Sequence, residues 1–139
     1  MSLHLEIVTP KGSVVDVEVA EVALPGKLGE FGVLDGHIPF LSALKPGVVR
    51  YLVDGQWKQL AIGSGFAEVG ASRKVLVLTD SHAKPDDIDV GETEKELADL
   101  EAQLKAWSGE LTVEHQELLD GAAWAQARLD ARRGSAPHN

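Results

Sequence analysis

A change of hydrophobic period near Pro85 constrains this chain more than any other feature. Before it, apolar residues recur at every second position. Leu3, Leu5 and Ile7 do so, then Val15, Val17 and Val19, then Val49, Tyr51 and Val53. Val75, Val77 and Thr79 alternate with Leu76 and Leu78 in the same way. Alternation puts one set of side chains on one face of a sheet. Beyond Pro85 the spacing changes: Leu97, Leu100, Leu104 and Trp107 form one helical stripe.

Turn formers punctuate the alternating half at Pro10-Lys11-Gly12, Pro25-Gly26, Asp35-Gly36, Pro46-Gly47 and Asp54-Gly55. Asp54-Gly55, between two alternating runs, is the strongest hairpin signal in the chain. Short strands separated by regular turns predict a sandwich or barrel and not βαβ units. In the second half, Asp89 with Glu92 resembles a capping box, and Ser108-Gly109 ends the first helix. Thr112 can cap a second helix, with a stripe of Leu118, Ala122, Ala125 and Leu129. A short loop between two helices predicts an antiparallel hairpin. Its apolar positions are largely alanine, so it buries little area and is weakly held unless it docks on something. Gly121 inside the second helix weakens it further, by about 1 kcal/mol relative to Ala.

The fold class expected is therefore α+β: a β-sandwich or barrel over 1–85, of which the resemblance described below implies the flattened β-sandwich, then a helical hairpin over 86–139 with a frayed end. The charge divides at the same place. Of the net −9 over 139 residues, residues 1–85 carry −1 and residues 86–139 carry −8. This balance argues against wrapping nucleic acid or lying on an anionic membrane. No stretch approaches the roughly 18 apolar residues of a spanning helix, and no basic-then-apolar leader opens the chain. We therefore expect neither direct membrane insertion nor a nucleic-acid partner. The chain has no cysteine, which removes disulfides, thiolate metal sites and a thiol nucleophile.

Other chemistry is equally sparse. Gly63-Ser64-Gly65 begins like a dinucleotide fingerprint, but Glu68 stands where the third glycine belongs, and an apparent strand follows. A β-bulge or close strand approach explains the glycines better. The five histidines never fall at helical metal-site spacing. Asp86-Asp87-Ile88-Asp89 lacks the glycine and glutamate of a calcium loop and reads as a linker into a helix N-terminus. We expect no catalytic residues, no metal and no cofactor.

One stretch is specific. Leu24-Pro25-Gly26-Lys27-Leu28-Gly29-Glu30-Phe31-Gly32-Val33-Leu34-Asp35-Gly36-His37-Ile38-Pro39-Phe40-Leu41 resembles the signature of the ε subunit of bacterial F-type ATP synthase, the mitochondrial δ equivalent. That family reads roughly L-P-G-x-x-G-E-x-G-x-x-P-G-H-x-P-x-L. Leu44-Lys45-Pro46-Gly47, Gly63–Val69, Val75–Asp80 and the opening Leu3–Pro10 resemble it too. Asp35 replaces the usual proline and Ser64 a usual glycine.

The resemblance implies a non-catalytic subunit of the central rotor of a proton-translocating synthase. Its sandwich would sit on the γ subunit and the c-ring. Its hairpin would either fold against the sandwich or extend into the catalytic head and block ATP hydrolysis. The partners implied are γ, the c-ring, and catalytic β with α. The place implied is the cytoplasmic face of the bacterial plasma membrane, peripherally. Residue by residue, Glu30 falls on the loop carboxylate facing the c-ring, and His37 lies in the neighbouring turn. Gly29, Gly32 and Gly36 either let that loop present them or serve turns only. A nucleotide motif common in the family is degenerate here: only Leu111 agrees, while Thr112 and His115 replace its acid and arginine. Without the arginine, strong ATP binding is not expected. Arg128, Arg132 and Arg133 form a basic cluster that either meets an acidic loop of the catalytic head or only complements the helix dipole. Two other readings compete: a stand-alone β-sandwich interaction module, and a small-molecule binder with the hairpin as lid.

Overall fold

A computed structural model describes residues 2–36 and 38–133. Ten strands precede two helices: β1 Leu3–Thr9, β2 Gly12–Val19, β3 Glu21–Gly26, β4 Gly29–Leu34, β5 Phe40–Leu44, β6 Gly47–Val53, β7 Gln56–Ile62, β8 Gly65–Val69, β9 Lys74–Thr79, β10 His82–Ala83, α1 Val90–Lys105 and α2 Val113–Arg132. A single 3₁₀ turn, Pro85–Asp87, joins the two halves.

The strands run in the order β10-β7-β6-β3-β5-β8-β9-β1-β2, with β4 beside β3. The ribbon folds over at β3, which pairs with β6 through Val22 and Ala23 and with β5 only at Gly26. Two layers result. Leu3, Leu5, Ile7, Ala67, Val69, Val75 and Val77 of one face Val22, Leu24, Val33, Val49, Leu60 and Ile62 of the other. These are the inward members of the alternating runs, and they form the core.

Asp54 and Gly55, with φ of 49° and 77°, make the left-handed turn of the β6–β7 hairpin. Pro25-Gly26 behaves otherwise than expected. Both residues lie inside β3, opposite Glu30 and Gly29, and the two-residue turn falls on Lys27-Leu28. The reason is steric: a Cβ on Gly26 would sit 2.8 Å from the Phe31 ring and 2.6 Å from the Gly29 carbonyl. Gly26 is a point of close packing, not a turn. The Gly63-Ser64-Gly65 run has the same explanation, because a Cβ on Gly65 would lie 1.9 Å from the Leu78 carbonyl oxygen. It leads into β8, as the sequence predicts.

Asp89 caps α1, accepting from the Glu92 amide at 2.9 Å, and its carbonyl accepts from the buried Thr93 hydroxyl at 2.7 Å. Thr112 caps α2 through the His115 amide. The stripe Leu97, Leu100, Leu104 and Trp107 is only half-buried, and Thr93 is the one buried residue of α1. α2 is wedged between α1 and the sheet, so it buries two faces. Beyond the predicted Ala125 and Leu129, Ala127 and Ala131 pack with Trp124 on Val48 and Ala61 of β6 and β7, beside Ile88. Gly121 has a purpose that offsets its helical penalty: a Cβ there would meet a Leu100 methyl at 3.2 Å, so its absence lets the helices approach.

Candidate functional site

Glu30 is the second residue of β4, at the tip of the β3–β4 hairpin. Gly29 before it has φ +137°, a conformation that favours glycine, and Leu28 is fully exposed. Gly36, at φ +88°, serves the turn after β4. Gly32 is not part of a loop. It lies mid-strand opposite Ala23, with no atom nearer its missing Cβ than the Val22 carbonyl oxygen at 3.9 Å. His37 lies outside the described residues. The Glu30 carboxylate accepts from Arg50 Nη1 at 2.9 Å. Arg50 is a site residue that sequence reasoning missed, because it stands 20 positions away on β6. Asp35 Oδ1 forms an ion pair with Arg73 Nε at 3.0 Å, so the residue replacing the usual proline links the turn after β4 to the one before β9.

The outer face of the β5–β8–β9 layer carries an apolar patch with one exposed carboxylate, Glu68, set between Leu41 and Leu76. Ala43, Phe66 and Leu78 are directly opposed across the three strands, and Leu41 lies two residues from Ala43. Leu41 is 69% exposed, Phe66 55% and Leu78 49%. The other layer hides part of its outer face under α2. This is an asymmetry between two equivalent faces, and an exposed apolar patch of this kind marks an interaction surface.

All three arginines of the basic cluster are paired within the chain. Arg128 donates to Glu96 of α1, stacks over the Trp124 ring with its guanidinium carbon 5.2 Å from the centroid, and is largely buried. Arg132 lies 3.7 Å from Asp86 in the 3₁₀ turn, and Arg133 lies 3.4 Å from Glu94 of α1. Arg128 and Arg132 thus hold different partners despite their helical spacing. The two outer pairs are well exposed and screened, so they contribute little.

The degenerate nucleotide stretch closes the hairpin turn. The His115 ring meets Trp107 edge-to-face at 5.3 Å, Trp107 Nε1 donates to the Glu110 carbonyl at 3.0 Å, and Leu111 is exposed. At the far edge, His4 is clasped by Glu18 at 2.6 Å and Asp16 at 2.5 Å. The hydrogen bond to Glu18, with the Asp16 carboxylate behind it, raises the His4 pKa above its ordinary value, and the same bond lowers that of Glu18.

The chemistry available is that of contact. Among the described residues no group of three or more His, Cys, Asp or Glu is arranged to hold a metal, and no helix is long and apolar enough to cross a membrane. A cleft of about 420 Å³ does lie between sandwich and hairpin, bordered by His82, Glu92, Glu96, Trp124 and Arg128. It is open and charged, whereas small-molecule sites are mostly apolar and enclosing, so it does not favour a lid over a ligand. Fold and surface together define a class: a β-sandwich with a helical hairpin packed on one outer face and an apolar patch exposed on the other.

Comparison with known proteins specifies which. Residues 2–85 match the family model described as ATP synthase, Delta/Epsilon chain, beta-sandwich domain. The ATP synthase epsilon chain of Anaeromyxobacter dehalogenans strain 2CP-1 is 38% identical over 133 residues, 96% of either chain. That of Nitratidesulfovibrio vulgaris strain DP4 is 48% identical over 94 residues, 68% of this chain and 69% of its own. In solved structures, the fold is shared with a chain of the Euglena gracilis mitochondrial ATP synthase, at TM-score 0.80 and 22% identity, over 94% of this chain and 80% of that one. A chain from the central stalk and c-ring of the Tetrahymena thermophila enzyme aligns at TM-score 0.61 and 10% identity, over 95% and 97%. The chain belongs to the ATP synthase delta/epsilon family, as an epsilon chain, a non-catalytic subunit of that enzyme.

Proposed function

We propose that this subunit couples rotation of the c-ring to the catalytic head through γ, and that its hairpin restrains ATP hydrolysis by lifting from the sandwich into the head. In this reading residues 1–85 are the docking body and 86–139 the regulatory element. The observation that carries it is the asymmetry of the sandwich: one outer face is covered by the chain's own α2, while the other is bare and apolar at Leu41, Phe66 and Leu78. The bare face is where γ docks. The Glu30 tip, with Gly29, Gly32 and His37, meets the polar loops of the c-ring. The subunit is held peripherally at the cytoplasmic face of the membrane by these partners.

The hairpin is suited to release. Its contact with the sheet sets Ala127, Ala131 and one large side chain, Trp124, on Val48 and Ala61, and the alanines bury little area each. Its arginines hold exposed carboxylates, which is an arrangement that a second set of carboxylates on the head can replace. Two states separated by a few kcal/mol follow naturally from such contacts. The docking claim is tested by placing charge on the bare face. Phe66→Glu with Leu78→Glu should leave the isolated chain folded and abolish its recovery with γ at equal stoichiometry. Undiminished recovery would overturn the assignment of that face.

A further inference from the structure

Arg50 lies in an unusual place. Its strand neighbours Val49 and Val48 face the core and the hairpin respectively, so Arg50 shares the hairpin side of β6 with Val48. Arg50, Ala23 and Gly32 stand directly opposite one another across β6, β3 and β4. A side chain running from β6 to β4 on this face must cross two strand spacings, about 10 Å. Ala23, between the two strands, offers only a methyl group to the side chains that meet above it. Glu30 is two residues from Gly32 on the same face of β4.

The burial of the pair is unequal. The Arg50 side chain is 16% exposed and that of Glu30 57%. Arg50 Nε is buried and has no hydrogen-bond partner. A buried guanidinium with one unpaired donor is a poor choice for stability alone, since an apolar side chain would fill the same space without the desolvation cost. The arrangement makes sense if the task is to hold a carboxylate. The cross-strand neighbour of Arg50 is Gln59, whose side-chain amide donates to the Ala131 carbonyl at 2.9 Å. The last turn of α2 is therefore seated next to Arg50.

We propose that Arg50 is a positioning residue: reaching from β6 past Ala23 of β3, it fixes the Glu30 carboxylate at the tip of the β3–β4 hairpin for contact with the ring subunits. The functional half of this statement rests on the reading of Glu30 as a ring contact; the positioning half does not. A fixed carboxylate loses less side-chain freedom when it meets a polar loop. A lysine at position 50 retains the charge but not the planar fork.

Two measurements separate the halves. In the full chain, side-chain NMR relaxation of Glu30 should report an ordered carboxylate arm in the native protein. Order should be lost in Arg50→Gln and partly kept in Arg50→Lys. Arg50→Leu should also lose it, since it keeps apolar bulk at this largely buried position and removes the guanidinium, and it serves if Arg50→Gln does not fold. Glu30 order unchanged in Arg50→Gln and in Arg50→Leu would overturn the positioning role. In the assembled γ–c-ring complex, Glu30→Gln and Arg50→Gln should each weaken binding about fivefold, the double variant no further than either. Additive losses would overturn action through Glu30. Native binding by Glu30→Gln would overturn the ring-contact reading, and the NMR result would still decide the positioning.

Discussion

Gln59 on β7 donates its side-chain amide to the Ala131 carbonyl in the last turn of α2, at 2.9 Å and across 72 residues of sequence. The final carbonyls of a helix have no partner inside it, so this bond satisfies one of them from the sandwich. It is a directional contact beside an apolar one, where Ala127, Ala131 and Trp124 pack on Val48 and Ala61. Gln59→Ala should weaken docking of the hairpin by about 1 kcal/mol. Amide exchange in the last two turns of α2 should speed up several-fold, while exchange in β1 and β9 stays as it is.

Gly65 is a steric requirement of the β8–β9 pairing. A Cβ there would fall 1.9 Å from the Leu78 carbonyl oxygen, and backbone cannot give way as a flexible side chain does. Gly65→Ala should cost about 3 kcal/mol or more of sandwich stability. At Gly70 the nearest atom is 3.7 Å away, so Gly70→Ala should stay within about 0.5 kcal/mol of the parent. Urea unfolding of the two variants side by side checks the contrast.

The His4 clasp implies a pH dependence at the β1–β2 edge. The bond to Glu18 and the carboxylate of Asp16 raise the His4 pKa above 6.5, so its stabilising contribution is complete below 6.5 and is lost as pH rises through the raised value. Glu18 is lowered from 4.5, chiefly by the same bond, so its contribution is complete above 4.5 and is lost as pH falls through the lowered value. The clasp is whole between those limits. An NMR titration should place the His4 midpoint above 6.5, and Glu18→Gln should bring it back toward 6.5. A His4 midpoint at or below 6.5 in the parent would contradict the clasp.

Arg128 has two tasks in this account. It pairs with Glu96 and stacks on Trp124 in the docked hairpin, and in the proposed extended form it meets the catalytic head. Changing Arg128 and Arg132 to alanine together should loosen the hairpin and also remove its grip on the head. Hydrolysis by the assembled head should therefore rise several-fold, although the hairpin lifts more easily. Unchanged inhibition would show that these arginines serve only the docked state.

Much of the fold was legible because it is written in local terms. Period-two runs became β1, β2, β6 and β9, Asp54-Gly55 became the hairpin turn, and Asp89 and Thr112 became helix caps. What was not legible depends on packing between distant segments. Gly26 looks like a turn residue until Phe31 is folded against it. Gly121 looks like a defect until Leu100 crosses it. The second buried face of α2 was hidden because Ala127 and Ala131 contribute no periodic signal strong enough to compete with Ala125 and Leu129. At the candidate site, Glu30 was found through its resemblance to the ε-subunit signature. Its partner Arg50 was not, since the two stand 20 residues apart on strands that do not pair with each other, with β3 between them.

The central claim is that the hairpin leaves the sandwich to restrain hydrolysis. The chain has no cysteine, so a single introduced pair is unambiguous. Ala61 and Ala127 pack in one cluster beneath the docked helix, and replacing both with cysteine offers a reversible lock. ATP hydrolysis by the assembled complex, measured before and after reduction, is the direct test. The account predicts faster hydrolysis with the bond formed and a return to the restrained rate on reduction. Equal rates in the two states, with the bond shown to form, would contradict it.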